Sequence, residues 1–329
     1  MTISATVIIV THNHRGYIEE CLKSITSSKS LEIIVIDNQS TDKTPEFVEK
    51  CFPNVKLIKN PKNTGYGAAN NIGAKLASNE HLIILNPDTM LDQDSIDHLL
   101  KPLAENPNII TIPKVLIYNG EMINTCGNKQ HFTGMAFTRG ANEKPEDRNS
   151  PRFVNGLSGV CFTISKENFM KLGGFDENIF LYMEDSEFSW RVNAAGLKIF
   201  YVPEAVIYHD YDFKVTPKKI YYVEKGRYII LRKYLSWKEY ILLSPSLLMT
   251  EILTGGYAIL NGPKGIIAKL KGSYEGLTID VDKIDSNREI LLSNMNTRIP
   301  ELEFNFSKIF SLLRTIANFT YKKNRRLLE

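Results

Sequence analysis

The sequence predicts an α/β fold, a largely parallel sheet over residues 5–210, followed by a C-terminal part of mainly helical character. Two observations carry this. Short β-branched runs alternate with helical segments, the signature of βαβ units with right-handed crossovers. The runs also lack apolar/polar alternation, as expected of strands buried on both faces.

The elements follow in order. Ala5–Val10 is the first buried strand, and Tyr17, Cys21, Leu22 and Ile25 fall on one face of the helix after it. Leu31–Ile36 is the second strand, and Ser40-Thr41-Asp42 offers a helix start. Val55–Ile58 and His81–Leu85 are the third and fourth strands. Residues 109–164 read as strands and loops. A helix over Glu184–Ala195 ends at Gly196, and Lys198–Val202 and Ala205–Tyr208 are two further strands. The pattern stops near His209-Asp210, which divides the chain into a catalytic domain, residues 1–215, and a helical region, residues 216–329, suited to contact with a membrane surface.

That second region mixes aromatics with bases over residues 218–235, is mostly apolar over 240–260, and ends in Lys322-Lys323-Asn324-Arg325-Arg326. Glu251, Pro245 and paired Gly255-Gly256 argue against a spanning helix, which needs about twenty apolar residues with few charges. An interfacial helix fits, and so does one packed within a helical subdomain. The chain has 329 residues and a net charge of only +3, which gives no support for nucleic acid as a partner. Cys21, Cys51, Cys126 and Cys161 are scattered and read as buried reduced thiols. No signal peptide is visible, so the expected location is cytoplasmic, peripheral at the inner face of the cell membrane.

Polar residues collect where the strands end: Thr11-His12-Asn13, Asp37-Asn38-Gln39-Ser40, Asn60 with Asn63–Gly67, and Asn86-Pro87-Asp88. Ligands of open α/β sheets bind at the carboxyl ends of strands. Each tip alone also reads as a turn; four together favour a site. The Asn63–Asn71 run, with Gly65 and Gly67, suits either close backbone approach to an anionic ligand at a helix start or a tight packing turn. Asp88 is the leading ligand for a hard divalent ion. Glu184-Asp185-Ser186-Glu187 opens a helix behind an aromatic run, where a carboxylate acts as general base or simply complements the helix dipole. His209 reads as structural or as a metal ligand.

Taken together and in order, these segments resemble family 2 glycosyltransferases, especially the rhamnosyltransferase-like branch. The matching stretches are Val7–Asn13, Ile34–Asp42, Asn63–Asn71, Leu85–Asp88, Gly173–Glu177, Tyr182–Arg191 and His209. The resemblance implies a GT-A fold, a Rossmann-like sheet that binds a nucleotide-diphosphate sugar with Mn²⁺ or Mg²⁺. Asp37 would contact the nucleoside; Thr11, His12, Asn13, Asn38, Asn63, Gly65 and Gly67 would line the nucleotide pocket. Asn86 and Asp88 stand at the family's D-x-D, with Asp88 and His209 toward the metal. Asp185 would be the catalytic base, with Glu184 and Arg191 supporting the donor site from the same helix. Two departures stand out: His12 replaces the more usual tyrosine, and Asn86 replaces the first aspartate.

The implied reaction is a single displacement with inversion, moving rhamnose or another hexose to a hydroxyl of a saccharide or polyprenyl-linked acceptor. A sugar nucleotidyltransferase would show a Gly-rich phosphate loop with a basic residue after the first strand; Thr11–Gly16 matches poorly. A non-catalytic nucleotide-sugar-binding module would be indifferent to Asp185. The dinucleotide fingerprint of NAD enzymes is absent. Sugar, base, acceptor and oligomeric state are left open by the sequence.

Overall fold

A computed structural model describes residues 4–211, 214–284, 288–301, 303 and 307–326. The chain divides into two units. The first comprises Met1–Asn128, Thr138–Val192 and Leu197–Asp212; the second comprises Lys129–Phe137, Asn193–Gly196 and Phe213–Glu329.

The elements run β1 (Ser4–Thr11), α1 (Ile18–Ser24), β2 (Ser30–Asp37), α2 (Thr44–Cys51), β3 (Lys56–Lys59), α3 (Tyr66–Leu76), β4 (His81–Leu85), β5 (Thr89–Leu91), α4 (Ser95–Glu105), β6 (Ile109–Ile117), β7 (Ile123–Thr125), β8 (Asn128–Gln130) and β9 (Ala136–Thr138). They continue with β10 (Arg152–Val154), β11 (Cys161–Ser165), α5 (Lys166–Lys171), α6 (Glu184–Ala194), β12 (Lys198–His209) and five helices: α7 (Pro217–Tyr234), α8 (Trp237–Leu260), α9 (Gly262–Thr278), α10 (Arg288–Ser293) and α11 (Lys308–Arg325).

In the first unit one mixed sheet has the order β10-β12-β6-β11-β4-β1-β2-β3, with β5 on β12 and β7 on β6. The four early strands are parallel, as the sequence predicts. β11 enters antiparallel between β4 and β6. Alternate residues of the unbroken apolar runs feed two cores: Ile8, Ile34 and Ile84 pack on one face, Val7, Val35 and Ile83 on the other. Burial on both faces is why these strands carry no polar alternation.

Three expectations need correction. Lys198–Val202 and Ala205–Tyr208 are one strand, β12, with a register shift between Val202 and Val206. Pro203 lies inside that shift; a proline has no N–H for the ladder and is tolerated at such a bulge. α2 starts at Thr44, not at residues 40–42. Asp42 precedes it and accepts from the Thr44 N–H at 3.0 Å, while Lys43 between them takes a left-handed conformation. Cys51, at the end of α2, is exposed, unlike the other three thiols.

The second unit is held by a buried charge cluster. Arg227 on α7 donates to Glu224 at 2.9 Å and contacts Glu251 of α8. Lys269 of α9 reaches Glu224 at 2.8 Å and Glu251 at 2.9 Å. α9 comes this close to α7 because Gly272 and Gly276 face it: a Cβ on Gly272 would lie 2.4 Å from the Tyr221 carbonyl. Among the described residues no helix is long and apolar enough to cross a membrane.

Candidate functional site

Parallel register sets the strand ends side by side. Thr11 pairs with Asp37, and Asp37 with Lys59, so the polar segments that follow share one sheet edge. The Thr11 hydroxyl donates to Asp37 Oδ1 at 3.0 Å, and the Ser40 N–H donates to Oδ2 at 3.0 Å. Both oxygens of this buried carboxylate therefore brace the loop.

Asn38 is the hub. Its amide donates to Asn63 Oδ1 at 2.9 Å and to the Gly65 carbonyl at 3.1 Å. Its Oδ1 accepts from Asn60 Nδ2 and from the Thr64 N–H, both at 3.1 Å. An amide side chain supplies two N–H donors and a carbonyl acceptor at once, which these four contacts use in full. His12 and Asn13 are exposed beyond this network. His12 Nδ1 lies 2.9 Å from the Asn38 carbonyl, so Nδ1 carries the proton in that contact. The Asn13 N–H donates to Ser40 Oγ at 2.8 Å, and its Oδ1 accepts from the Thr41 N–H at 2.7 Å.

The Asn63–Gly67 loop locks onto the segment that leads to the acidic helix. Gly65 has φ +87°, and a Cβ there would sit 2.5 Å from the Phe180 carbonyl. A Cβ on Gly67 would meet the Phe175 Cβ at 2.8 Å and the Glu184 Cβ at 3.6 Å. Asn71 clasps Phe175 from both sides, accepting from its N–H at 2.8 Å and donating to its carbonyl at 2.9 Å. The glycines thus serve tight packing. Gly65→Ala is expected to lower the unfolding free energy by about 1–3 kcal/mol from the backbone conformation alone, read from the midpoint of urea unfolding.

That packing seats Glu184 and Asp185 at the start of α6. Asp185 Oδ2 accepts from the Gly159 N–H at 3.0 Å and from Asn128 Nδ2 at 3.2 Å. The Gly159 carbonyl in turn accepts from the Tyr66 hydroxyl at 2.7 Å, and its neighbour Val160 accepts from the Asn86 N–H at 2.9 Å. Burial pushes the Asp185 carboxyl up to about 6, against the pull of those amide donors. Burial and the adjacent Asp185 charge raise Glu184 too. Glu184 Oε2 is buried with no hydrogen-bond partner.

β5 pairs antiparallel with β12, Thr89 opposite His209, and this brings the residue before Thr89 to His209. His209 Nε2 lies 3.3 Å from Asp88 Oδ1, and its Nδ1 lies 3.0 Å from Asn124 Oδ1. The Asp88 carbonyl accepts from the Asp210 N–H at 3.1 Å. Burial works to raise the Asp88 carboxyl, but the His209 contact, with the charges of His209 and His14, brings it below its ordinary value. Among the described residues no group of three His, Cys, Asp or Glu side chains converges on a metal position.

Arg191 is occupied elsewhere in the unit. It pairs with Glu187 and donates to the carbonyls of Leu172 and Gly174, at 2.9 Å and 2.8 Å. It clamps the glycine turn that precedes Phe175. Tyr66 falls within the Asn63–Gly67 run that the sequence singles out, but the sequence reading missed Asn128, Gly159 and Asn124. The small-residue run Gly156-Leu157-Ser158-Gly159 is the one signal that points to any of them, being the same kind of segment as Asn63–Gly67.

Comparison with known proteins agrees with this layout. The chain is 30% identical to an N-acetylglucosaminyl-diphospho-decaprenol L-rhamnosyltransferase of Mycobacterium tuberculosis, over 64% of this chain and 76% of that protein. It superimposes on GalNAc-T7 crystallised with UDP, GalNAc and Mn²⁺ with a TM-score of 0.61 at 19% identity, covering 89% of this chain and 56% of that one. Against Staphylococcus aureus TarS 1-349 in complex with UDP-GlcNAc the TM-score is 0.54 at 16% identity, covering 98% and 91%. These likenesses show the GT-A fold that the sequence motifs imply, followed by C-terminal helices. The sequence itself matches "Glycosyl transferase family 2" over residues 6–173, a stretch that holds every strand tip described above except the end of β12. With fold, strand-tip network and family profile in agreement, the chain belongs to glycosyl transferase family 2 and is a glycosyltransferase.

Proposed function

We propose that the protein moves rhamnose, or another hexose, with inversion from a nucleoside-diphosphate donor to a hydroxyl of a saccharide or polyprenyl-linked acceptor, at the cytoplasmic face of a membrane. The observation that carries the reading is Asp185: a carboxylate at a helix start, held through Oδ2 by Gly159 and Asn128, with its proton affinity raised toward that of a general base. Rhamnose and a decaprenyl diphosphate acceptor are named in the M. tuberculosis relative. UDP-sugars and Mn²⁺ accompany structures of the same fold.

In this reading residues 1–215 form the catalytic domain and residues 216–329 the helical, membrane-contacting region. Thr11, His12, Asn13, Asp37, Asn38, Asn63, Gly65 and Gly67 shape the nucleotide pocket, where Asp37 and Asn38 keep the loops in place for the nucleoside. Asn86 and Glu184 flank the donor, and Arg191 supports the wall behind it. Asp185 removes the acceptor proton as the hydroxyl oxygen attacks opposite the diphosphate.

Asp88 and His209 fit a divalent ion. Asp88 Oδ1 is buried, with an imidazole nitrogen 3.3 Å away as its one close polar neighbour among the described residues; carboxylate with imidazole is a donor set suited to Mn²⁺. Asp88 and His209 would hold the ion. A bound ion there would supply Lewis-acid stabilisation of the departing diphosphate. The test is thermal shift with nucleotide-sugars, with and without Mn²⁺. A ligand that binds only the folded state raises Tm by mass action. One donor is expected to stabilise the protein more with Mn²⁺ present, and Asp88→Asn is expected to remove the Mn²⁺-dependent part alone. No shift with any nucleotide-sugar at saturation would sink the donor assignment.

A further inference from the structure

The C-terminal helices carry apolar side chains on their outer faces as well as their inner ones, where α8 buries Leu243 and Leu253 and α11 buries Phe310. α9 turns Gly265, Lys269, Gly272 and Gly276 inward and leaves Ile267 and Leu270 outside, 64% and 65% exposed. α8 buries Ser246 and Thr250 on its inner face and exposes Leu248 at 64%. α11 buries Asn324 and Tyr321 and exposes Phe319 at 60%. On each helix the exposed apolar residues recur at helical spacing as one stripe, and α8 packs against both α9 and α11. Sixteen of the twenty-four large apolar side chains exposed among the described residues lie on these three helices. A surface that apolar is a binding surface or an aggregation hazard.

Charge identifies the occupant. Residues 216–329 carry nineteen lysines and arginines against eleven acids, whereas residues 1–215 carry twenty-one against twenty-six. The small net charge of the whole chain conceals a basic C-terminal region. Lys264, Lys271, Lys322 and Lys323 are exposed on the same helices as the stripes. Trp237, at the start of α8, is 68% exposed, the kind of residue that settles at a membrane–water boundary. No described helix can span a bilayer, so apolar stripes flanked by bases belong to helices that lie in its surface.

We infer that the outer faces of α8, α9 and α11 form one docking surface for an anionic lipid bilayer. This deepens the membrane part of the proposed function and rests on it, but it requires no donor. The full chain is sedimented with vesicles of phosphatidylcholine alone and with added phosphatidylglycerol, and Trp237 emission is followed. Binding to the anionic vesicles with a blue shift is expected, weakened by salt. Leu248→Ser/Leu270→Ser/Phe319→Ser is expected to weaken it by more than about tenfold. Lys264→Glu/Lys322→Glu is expected to abolish the preference for anionic lipid. Because all five side chains are exposed, the variants should keep the parent's melting curve and donor-induced thermal shift. No vesicle binding by the parent, or equal binding by the triple variant, overturns the inference. So does a parent dimer that the triple variant disperses without any vesicle binding, since a second copy then covers the face. Loss of the donor shift in the parent, with vesicle binding intact, would strike the donor assignment and leave this surface standing.

Discussion

Asp185→Asn is expected to reduce sugar transfer by about 10²–10⁴-fold, the usual contribution of a positioned general base, while donor binding measured by thermal shift stays intact. The amide oxygen of asparagine can still accept from the Gly159 N–H, so the local geometry survives. The pH dependence has a definite sign. The Asp185 proton affinity is raised by burial, to about 6, so in the proposed role it is protonated and idle below that pH and active above it. Transfer by the parent should therefore rise with pH through that region, the limb belonging to the Glu184–Asp185 pair as a unit. Folding linkage runs the same way: a carboxyl whose pKa is raised by folding stabilises the native state when protonated and costs stability as pH rises through the folded value. Asp185→Asn should thus unfold no more easily than the parent at pH 8. A variant that transfers at near the parental rate would remove Asp185 from the chemistry.

The second large effect is on stability. Arg227→Met is expected to cost about 3 kcal/mol, because it leaves two buried or half-buried carboxylates, Glu224 and Glu251, to share the single cation Lys269. Burial alone would raise Glu224, but the Arg227 and Lys269 charges overcome it and hold the carboxyl down to about 2. The stability it contributes is complete above the unfolded value of 4.5 and is lost as pH falls from there toward about 2. The difference between variant and parent in urea unfolding should accordingly shrink between pH 5 and pH 3. A constant difference across that range would mean that packing of the Arg227 stem, not its charge, is what matters.

How much of this was legible in the sequence depends on how local the cause is. Val7–Val10 and Ile33–Ile36 announce strands buried on both faces because burial acts residue by residue. Parallel strands must end at one edge, so the sequence alone gathers Thr11, Asp37 and Asp88 at that edge. The motif order carried Asp185 and His209. What stayed hidden depends on partners far along the chain. Asn128, at the start of β8, carries no motif of its own and gains its role only where it meets Asp185 across 57 residues. The resemblance gives Arg191 a supporting place on the helix of Asp185, but its bonds to the carbonyls of Leu172 and Gly174 depend on chain 19 and 17 residues away. The C-terminal helices mislead in another way. An apolar stripe at helical spacing ordinarily marks the inward face, but on α9 close approach to α7 selects glycine for the inside and leaves isoleucine and leucine out.

The clasp of Asn71 on Phe175 joins residues 104 apart, and the Tyr66–Gly159 bond joins residues 93 apart. During synthesis the four parallel strands can pair as soon as residue 85 has emerged, since each is joined to the next by a short crossover. The loop at Gly65 and Gly67 is then held from one side by Asn38 but lacks the Phe175–Phe180 segment on the other. Its second support, and the seat of the carboxylate pair, arrives only when a segment about a hundred residues later is released and the intervening chain closes, a slow, entropically opposed step. Nascent chains are therefore expected to pass through a stage with a formed sheet and an unfinished candidate site.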